Sequence, residues 1–217
     1  MDKIKEWILA FLFPRRCALC RRVIKFDKYL CDKCGKETVE INTRDFIFLK
    51  RMKLLLPYTA PFAYKDKVRL AIHRIKFRNC PDIAEFFADR IYNAYTLHKE
   101  FDFDLITFVP MYKREEENRG YNQTYVLALM LSKISGTPFK EALIQIKPKK
   151  KQHKLSRKER MRNVKGVYKV NENIDINGKK ILLIDDVITT GSTMLECADV
   201  LYKGGAAIVE CVSCAKT

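Results

Sequence analysis

The chain has 217 residues, a formal net charge of +16 and an isoelectric point near 9.5. This length allows one core of roughly 150 residues and a smaller appendage. The longest apolar run, Trp7 to Phe13, has seven residues, whereas a membrane span needs about 18. The run also lacks the length and the small-residue cleavage site of a signal peptide. The sequence therefore predicts a cytoplasmic protein without a transmembrane segment.

The first 14 residues predict a short amphipathic helix, which ends at Pro14 and is followed by Arg15 and Arg16. Its apolar side would either dock on the body of the protein or rest on a membrane surface. We favour docking on the body.

Four cysteines near the N-terminus have the spacing of zinc ligands. Two residues separate Cys17 from Cys20 and Cys31 from Cys34, and ten residues lie between the two pairs. Four thiolates at this spacing can close one tetrahedral Zn²⁺ site, and such a site is structural because it leaves no position for water. Two disulfides are the alternative, but they are typical of secreted proteins and no secretory signal precedes them.

Four further cysteines lie outside this module. Cys211 and Cys214 repeat the two-residue spacing, but they fall in an apolar run at residues 206–214 that predicts a strand. Such a strand would direct the two thiols to opposite faces. Buried core thiols are therefore favoured over a second metal site.

The rest of the chain alternates between helix-like and strand-like patterns. The apolar spacing of a helix appears in four segments: after Lys65, after Pro81, from about Asn122 to a stop at Gly136, and after Gly191. Apolar runs predict strands in five segments: 105–109, 138–146, 166–170, 181–184 and 206–214. Residues 37–60 are irregular and predict one or two strands between the metal module and the main body. The charged residues 111–121 predict a loop.

This alternation indicates an α/β fold, an open and mostly parallel sheet flanked by helices. We divide the chain into residues 1–60, with the N-terminal helix, the four-cysteine module and a connector, and residues 61–217, the main domain. Ligands of open α/β sheets bind beyond the carboxyl ends of the strands.

The segment 181–193 lies at such a strand end. Asp185 and Asp186 follow an apolar run, and a turn around Gly191 then opens a helix. Backbone N–H groups at a helix N-terminus bind phosphate, and the turn adds side-chain donors from Thr189, Thr190, Ser192 and Thr193. The two acids can accept hydrogen bonds from vicinal sugar hydroxyls, or hold a hydrated Mg²⁺ that the sugar also touches. Together these groups predict a site for a ribose 5-phosphate.

Positive charge is concentrated in one segment. Lys147 to Lys165 contains ten Lys or Arg residues and one acid, Glu159, which gives a net charge of +9. Such a segment suggests a polyanionic partner, because each neutralised phosphate releases condensed counterions. A solvated loop without a partner is the alternative.

The string from Asp185 to Thr193 resembles the phosphoribosyl pyrophosphate (PRPP) loop of type I phosphoribosyltransferases, which has two acids, a spacer and Thr-Thr-Gly. The resemblance implies that fold for the main domain. It also implies that Asp185 and Asp186 are catalytic acids that bind the ribose hydroxyls, with Mg²⁺ accompanying PRPP. The 5-phosphate would then be bound by Val187, Thr189, Thr190, Gly191, Ser192 and Thr193.

Other strings resemble one branch of that superfamily, the ComF-type proteins associated with competence for DNA uptake. They have an N-terminal four-cysteine module, a Val-Pro strand end as at Val109-Pro110, and an Arg-Gly-aromatic-Asn-Gln string as at residues 119–123. Residues 152–163 match their Gln-x2-Leu-Ser-Arg-x2-Arg-x2-Asn loop. Lys76-Phe77 matches a Lys-aromatic pair, although Arg78-Asn79 stand where these proteins often have glycine.

The resemblance implies a pyrophosphate side built from flexible loops, with these residues: Lys76, Lys113, Arg114, Arg119, Asn122, Gln152, Arg157 and Arg160. Three of these positions have a second interpretation. Lys113 and Arg119 could be solvated loop charges, and Asn122 could cap the helix that follows it.

Two functions follow from these patterns. The first is a ComF-type protein that binds PRPP or a similar ligand and handles single-stranded DNA, with the DNA-uptake machinery as a possible partner. DNA contacts would come from the basic segment, chiefly Lys149, Lys150, Lys151 and Lys154. The alternative is an active phosphoribosyltransferase that transfers ribose 5-phosphate from PRPP to an unidentified nitrogen nucleophile.

Overall fold

The computed structural model describes residues 14–78, 80–148, 159 and 163–217. The predicted N-terminal helix lies outside these residues. Eight strands are described: β1 (Thr43–Leu49), β2 (Leu54–Ala60), β3 (Phe62–Ala63), β4 (Leu105–Phe108), β5 (Leu143–Gln145), β6 (Tyr168–Val170), β7 (Lys180–Ile188) and β8 (Ile208–Lys216). The helices of the described residues include α1 (Asp32–Glu37), α2 (Asp66–Arg78), α3 (Pro81–Thr96), α4 (Lys113–Arg119), α5 (Gln123–Ser135) and α6 (Ser192–Lys203).

The main sheet has six strands in the order β1-β2-β8-β7-β4, and β3 also pairs with β8. All pairings in this sheet are parallel except the one between β1 and β2, which form an antiparallel hairpin at one edge. A separate antiparallel pair joins β5 and β6. The prediction of an open, mostly parallel sheet flanked by helices is confirmed.

The two faces of the sheet carry two apolar cores. Ile184 of β7 and Cys214 of β8 belong to a core under α2, α3 and α5, whereas Leu183 and Cys211 belong to a core under α6. Neighbouring strand residues point to opposite faces, and both faces are covered, so Ile181–Ile184 of β7 are apolar and buried without alternation. The prediction that Cys211 and Cys214 are buried core thiols on opposite faces is confirmed.

The metal module packs against the first of these cores. Cys17, Leu19 and Cys34 are part of the same buried cluster as α2 and α3. Arg74 of α2 donates to the backbone oxygen of Leu19 at 2.6 Å, which fixes the module to the body. The module therefore shares a core with the main domain.

The hairpin β1–β2 differs from the expected connector. Its strands lie in the main sheet, because Tyr58 and Thr59 of β2 pair with Cys211 and Val212 of β8. The division of the chain at residue 60 stays a prediction, while these pairings join residues 43–60 to the sheet of the main domain.

Residues 113–119 form the helix α4, where the sequence analysis predicted a loop. The prediction was wrong because it relied on apolar periodicity, and α4 has no buried residue. Glu115 and Glu116 lie in its first turn and Arg119 in its last, an arrangement that the helix dipole favours. The left-handed Gly120, with φ 84°, ends it. Within the part of the chain that the structure describes, no helix is long and apolar enough to cross a bilayer.

A buried carboxylate links β8 to α3 and the edge hairpin. Glu210 is almost fully buried and accepts hydrogen bonds from Arg44 at 2.8 Å, Tyr95 at 2.9 Å and Lys99 at 3.0 Å. Burial alone would raise the pKa of Glu210, but the hydrogen bonds from Lys99, Tyr95 and Arg44 outweigh it and lower the pKa. This cluster therefore stabilises the fold only while the carboxyl is ionised.

We predict that Glu210→Gln lowers the free energy of unfolding at pH 7 by about 3 kcal/mol, because the cations lose a buried partner. A carboxyl with a lowered pKa stabilises the fold above its unfolded pKa of about 4.3 and loses that contribution as the pH falls through the folded pKa. The difference between the two proteins should therefore shrink below about pH 4. Urea unfolding of both proteins from pH 7 to pH 3 measures this difference in the free energy of unfolding. Glu172→Gln, a substitution on the surface, is the control. A difference that stays constant with pH would contradict this account.

Candidate functional site

The two acids stand at the carboxyl end of the central strand. β7 continues through them to Ile188, with β4 and β8 parallel on either side. Asp186 is 7% exposed and lies on the face of α2 and α5, while Asp185 is half-buried. The backbone N–H of Asp186 donates to Asp185 Oδ1 at 2.8 Å, which orients the first carboxylate.

The turn that follows has the geometry of an anion site. Gly191 has φ 71°, a left-handed conformation that lets the chain turn directly into the twelve-residue α6. Thr190 Oγ1 lies 2.7 Å from Ser192 Oγ, and the backbone N–H of Ser192 donates to Thr190 Oγ1 at 3.4 Å. Backbone N–H groups and hydroxyls thus converge at the N-terminus of α6, where the helix dipole favours an anion.

The edge hairpin β1–β2 packs against this turn. A Cβ atom on Gly191 would lie 2.5 Å from Cδ1 of Ile47 in β1. The turn therefore packs closely against a side chain about 140 positions earlier in the chain. This contact gives a second reason, besides its φ angle, for glycine at this position.

A cavity of about 1090 Å³ opens above the acids and the turn. Its described walls come from five regions of the chain. They comprise Tyr64, His73, Lys76, Phe77, Val109, Pro110, Met111, Glu115, Asn118, Arg119, Gln123, Thr124, Gln145, residues 185–194 and Thr217. All the acids and phosphate-side residues named from the sequence therefore face one space.

Lys76 reaches into this cavity from the last turn of α2. Its Nζ atom lies 2.7 Å from Asp186 Oδ2. Burial acts to lower the pKa of Lys76, but the charge of Asp186, its hydrogen bond and the charge of Asp185 together raise the pKa above its ordinary value. The lysine is therefore a permanent cation on the acid pair, whereas the sequence analysis placed it on the pyrophosphate side.

Arg119 is linked to Asp186 indirectly, through Gln123. It donates to Gln123 Oε1 at 2.8 Å, and Gln123 Nε2 in turn donates to Asp186 Oδ2 at 3.2 Å. The guanidinium carbon lies 5.2 Å from the centre of the Phe77 ring, which also contacts the His73 ring. Gln123 stood in the sequence string that resembled ComF-type proteins, but its role on Asp186 was not predicted.

Asn122 caps α5. Its Oδ1 accepts from the backbone N–H of Thr124 at 3.0 Å, and the residue is buried. The Thr124 hydroxyl lies 2.7 Å from the backbone oxygen of Val109, so the cap also ties the helix to the end of β4. The geometry supports the capping interpretation of Asn122 rather than a direct ligand role.

The remaining predicted residues divide into two groups. Lys113 and Arg114 lie in the first turn of α4 and outside the described cavity lining. Gln152, Arg157 and Arg160, together with the predicted DNA-contacting residues Lys149, Lys150, Lys151 and Lys154, lie outside the described residues.

Gln145 lines the cavity, although no sequence motif pointed to it. Its Nε2 donates to the backbone oxygen of Lys147 at 2.8 Å, while its buried Oε1 has no hydrogen-bond partner among the described residues. A single polar residue in a short apolar strand was the available signal. Such an acceptor beside a cavity is suited to a donor group on a ligand.

The four N-terminal cysteines meet at one point. Their sulfur atoms all lie within 4.8 Å of one another, and the Sγ atoms of Cys20 and Cys31 are 3.7 Å apart. A tetrahedral Zn²⁺ with Zn–S bonds of about 2.3 Å needs sulfur atoms about 3.8 Å apart. Cys17, Cys20, Cys31 and Cys34 therefore fit a structural zinc ion, and no disulfide links any of them.

Comparison with known proteins agrees with both parts of the chain. A family model described as phosphoribosyl transferase domain matches residues 125–216, and one described as double zinc ribbon domain matches residues 8–44. The DNA utilization protein YhgH of Escherichia coli O157:H7 is 30% identical over 200 residues, which cover 89% of this chain and 87% of that protein. The chain belongs to the family of YhgH.

A second relative in this family is the competence protein ComFC of Bacillus subtilis strain 168. It is 29% identical over 211 residues, which cover 93% of this chain and 85% of ComFC. Among solved structures, the glutamine PRPP amidotransferase of B. subtilis is similar, with 17% identity and a TM-score of 0.44. That match covers 65% of this chain and 30% of the enzyme. The family model over residues 125–216, together with the mostly parallel sheet flanked by helices, gives the main domain the phosphoribosyltransferase fold that the sequence predicted.

We predict that Cys31→Ser removes zinc from the purified protein and lowers its thermal stability, because a small module with little core of its own depends on the metal. Metal analysis and thermal unfolding measure both effects. Cys80→Ser, which removes a thiol outside the cluster, should retain the zinc. A wild-type protein that is fully folded without metal would contradict a structural role.

Proposed function

We propose that this protein binds PRPP or a similar ribose 5-phosphate ligand at the acid pair, and handles single-stranded DNA during DNA uptake. The observation that carries the first part is the shared cavity, which brings Asp185, Asp186 and the turn of residues 189–193 to one space. The acids would accept from the vicinal ribose hydroxyls, and the turn would bind the 5-phosphate.

The names of two relatives support the second part, since one is called a DNA utilization protein and the other a competence protein. The net charge of +9 between Lys147 and Lys165 is suited to a phosphate backbone. Zinc-binding cysteines and free core thiols are typical of a reducing compartment, so we place the protein in the cytoplasm. Direct DNA binding and contact with the uptake machinery are parts of this proposal.

An active phosphoribosyltransferase uses the same acids and turn, and the described residues give it no separate support. Magnesium would enter with the pyrophosphate oxygens of PRPP, which are its preferred ligands. The protein would contribute a preformed ribose and phosphate site in either case.

The acid pair can be tested by calorimetric titration with ribose 5-phosphate and with PRPP. We predict that Asp185→Asn and Asp186→Asn each weaken binding about 10- to 100-fold, because a hydrogen bond to a charged group is worth about 1.5–3 kcal/mol. The double variant should show no measurable binding. Asp27→Asn, an exposed acid of the metal module, removes the same charge outside the cavity and should bind as the wild type does. Unchanged binding by the double variant would remove the assignment of this site.

The DNA-binding proposal predicts a specific salt dependence. The logarithm of the affinity for a single-stranded oligonucleotide should fall with the logarithm of salt concentration, at a slope of about 0.7 for each phosphate contacted. Charge reversal at Lys149–Lys151 should reduce both the affinity and the slope. Reversal of Lys50, Lys53 and Lys133, three exposed lysines elsewhere, changes the net charge equally and should have a smaller effect. Affinity that does not depend on salt would contradict the proposal.

A further inference from the structure

The second acid of the pair is already neutralised by the chain itself. Asp186 Oδ2 accepts from Lys76 Nζ at 2.7 Å and from Gln123 Nε2 at 3.2 Å. The Asp186 side chain is 9% exposed and that of Lys76 is 28% exposed. Water therefore screens this ion pair much less than a pair on the surface.

The position of Lys76 is set by the packing of its helix. Ile72 and Ile75, in the turn before it, are buried in the core under α2 and α5. The Tyr121 hydroxyl donates to the backbone oxygen of Ile75 and so ties the end of α2 to the loop before α5. A lysine in the last turn of a helix is also favoured by the helix dipole. The ammonium group is therefore presented to Asp186 by a fixed element.

This arrangement does not fit a divalent cation held by Asp186. Mg²⁺ binds carboxylate oxygens at about 2.0–2.1 Å and repels other cations. At Asp186 Oδ2 it would lie within a few ångströms of the Lys76 ammonium, in a pocket where water screens the repulsion poorly. The other acid, Asp185, already accepts the backbone N–H of Asp186 on Oδ1.

We propose that Lys76 is the resident cation of the acid pair, in the place that a protein-bound Mg²⁺ would need, so that the ribose side of the pocket works without a divalent metal. The proposal rests on the proposed function for the identity of its ligand. Lys76 then acts as a positioning residue. With Gln123, which Arg119 holds in turn, it keeps the Asp186 carboxylate oriented towards a sugar hydroxyl.

The metal part of the proposal can be tested without any sugar ligand, by Mn²⁺ titration followed by electron paramagnetic resonance of the free ion. If Asp186 holds no metal in the wild-type protein, Asp186→Asn should bind as much Mn²⁺ as the wild type does. In Lys76→Met the two carboxylates lose their cation, so this variant should gain one Mn²⁺ site, which the added change Asp186→Asn removes again. Arg69→Met, an exposed cation of the same helix, loses the same charge and should gain no site.

The ligand part uses ribose 5-phosphate, titrated into the zinc-loaded protein without added divalent metal and in excess Mg²⁺. Wild-type affinity should change less than about twofold between the two conditions, whereas the affinity of Lys76→Met should fall about tenfold or more without Mg²⁺, as expected for loss of a charge-assisted contact, and recover with Mg²⁺. Lys76→Gln, which keeps a donor but not the charge, should behave like Lys76→Met and serves if the latter does not fold.

The possible results separate this proposal from the proposed function. A wild-type Mn²⁺ site that depends on Asp186, or Lys76 variants that gain no metal site, would overturn the assignment of Lys76. Absence of ribose 5-phosphate binding by the wild type in both conditions would instead remove the proposed ligand. The Mn²⁺ results on Lys76 would then still decide whether it is the resident cation.

Discussion

The functional site depends on the parallel register of β7 with its neighbours. Because β4 and β8 run in the same direction as β7, their carboxyl ends meet at one edge of the sheet. The backbone N–H of Val109 donates to the backbone oxygen of Ile184, the residue before Asp185. The loop after β4 therefore starts beside the acids. The Thr124 hydroxyl at the Val109 oxygen then anchors α5 to the same point. The acids, the turn of residues 189–193 and Gln123 are thus assembled by sheet geometry.

The sequence revealed the parts of the site that are encoded locally. The acids, the hydroxyl-rich turn and Gly191 follow one another along the chain. The four cysteines can be recognised from their spacing alone. The role of Lys76 could not be read in this way, because its partner Asp186 is 110 positions away and a lysine near a helix end has many possible uses. The place of the hairpin β1–β2 likewise depends on pairing with β8, about 150 positions later, which no local pattern records.

Buried carboxylates in this strongly basic chain are matched by its own cations. Each of three such acids forms ion pairs: Asp186 with Lys76, Glu210 with Arg44 and Lys99, and Asp199 with Arg51 and Lys203. A buried acid without such a partner would be costly, since desolvation strongly penalises an isolated charge. Part of the positive charge thus serves the stability of the fold. The segment from Lys147 to Lys165, with a single acid among ten cations, supplies charge that cannot be neutralised within its own sequence.

The chemistry of the acid pair implies that DNA does not use the ribose side of the pocket. Two carboxylates that read vicinal hydroxyls require a ribose, and the deoxyribose of DNA lacks the 2′-hydroxyl that would satisfy one of them. A site built to hydrogen-bond a hydroxyl of its ligand discriminates against an analogue that lacks this hydroxyl. A DNA strand would therefore gain little from entering the pocket, whereas phosphate contacts on a basic surface do not depend on the sugar. The predicted DNA contacts Lys149, Lys150, Lys151 and Lys154 lie in the same sequence segment as Gln152, Arg157 and Arg160, which the resemblance assigns to the pyrophosphate side. Coupling between DNA and a phosphoribosyl ligand would therefore involve the basic segment itself.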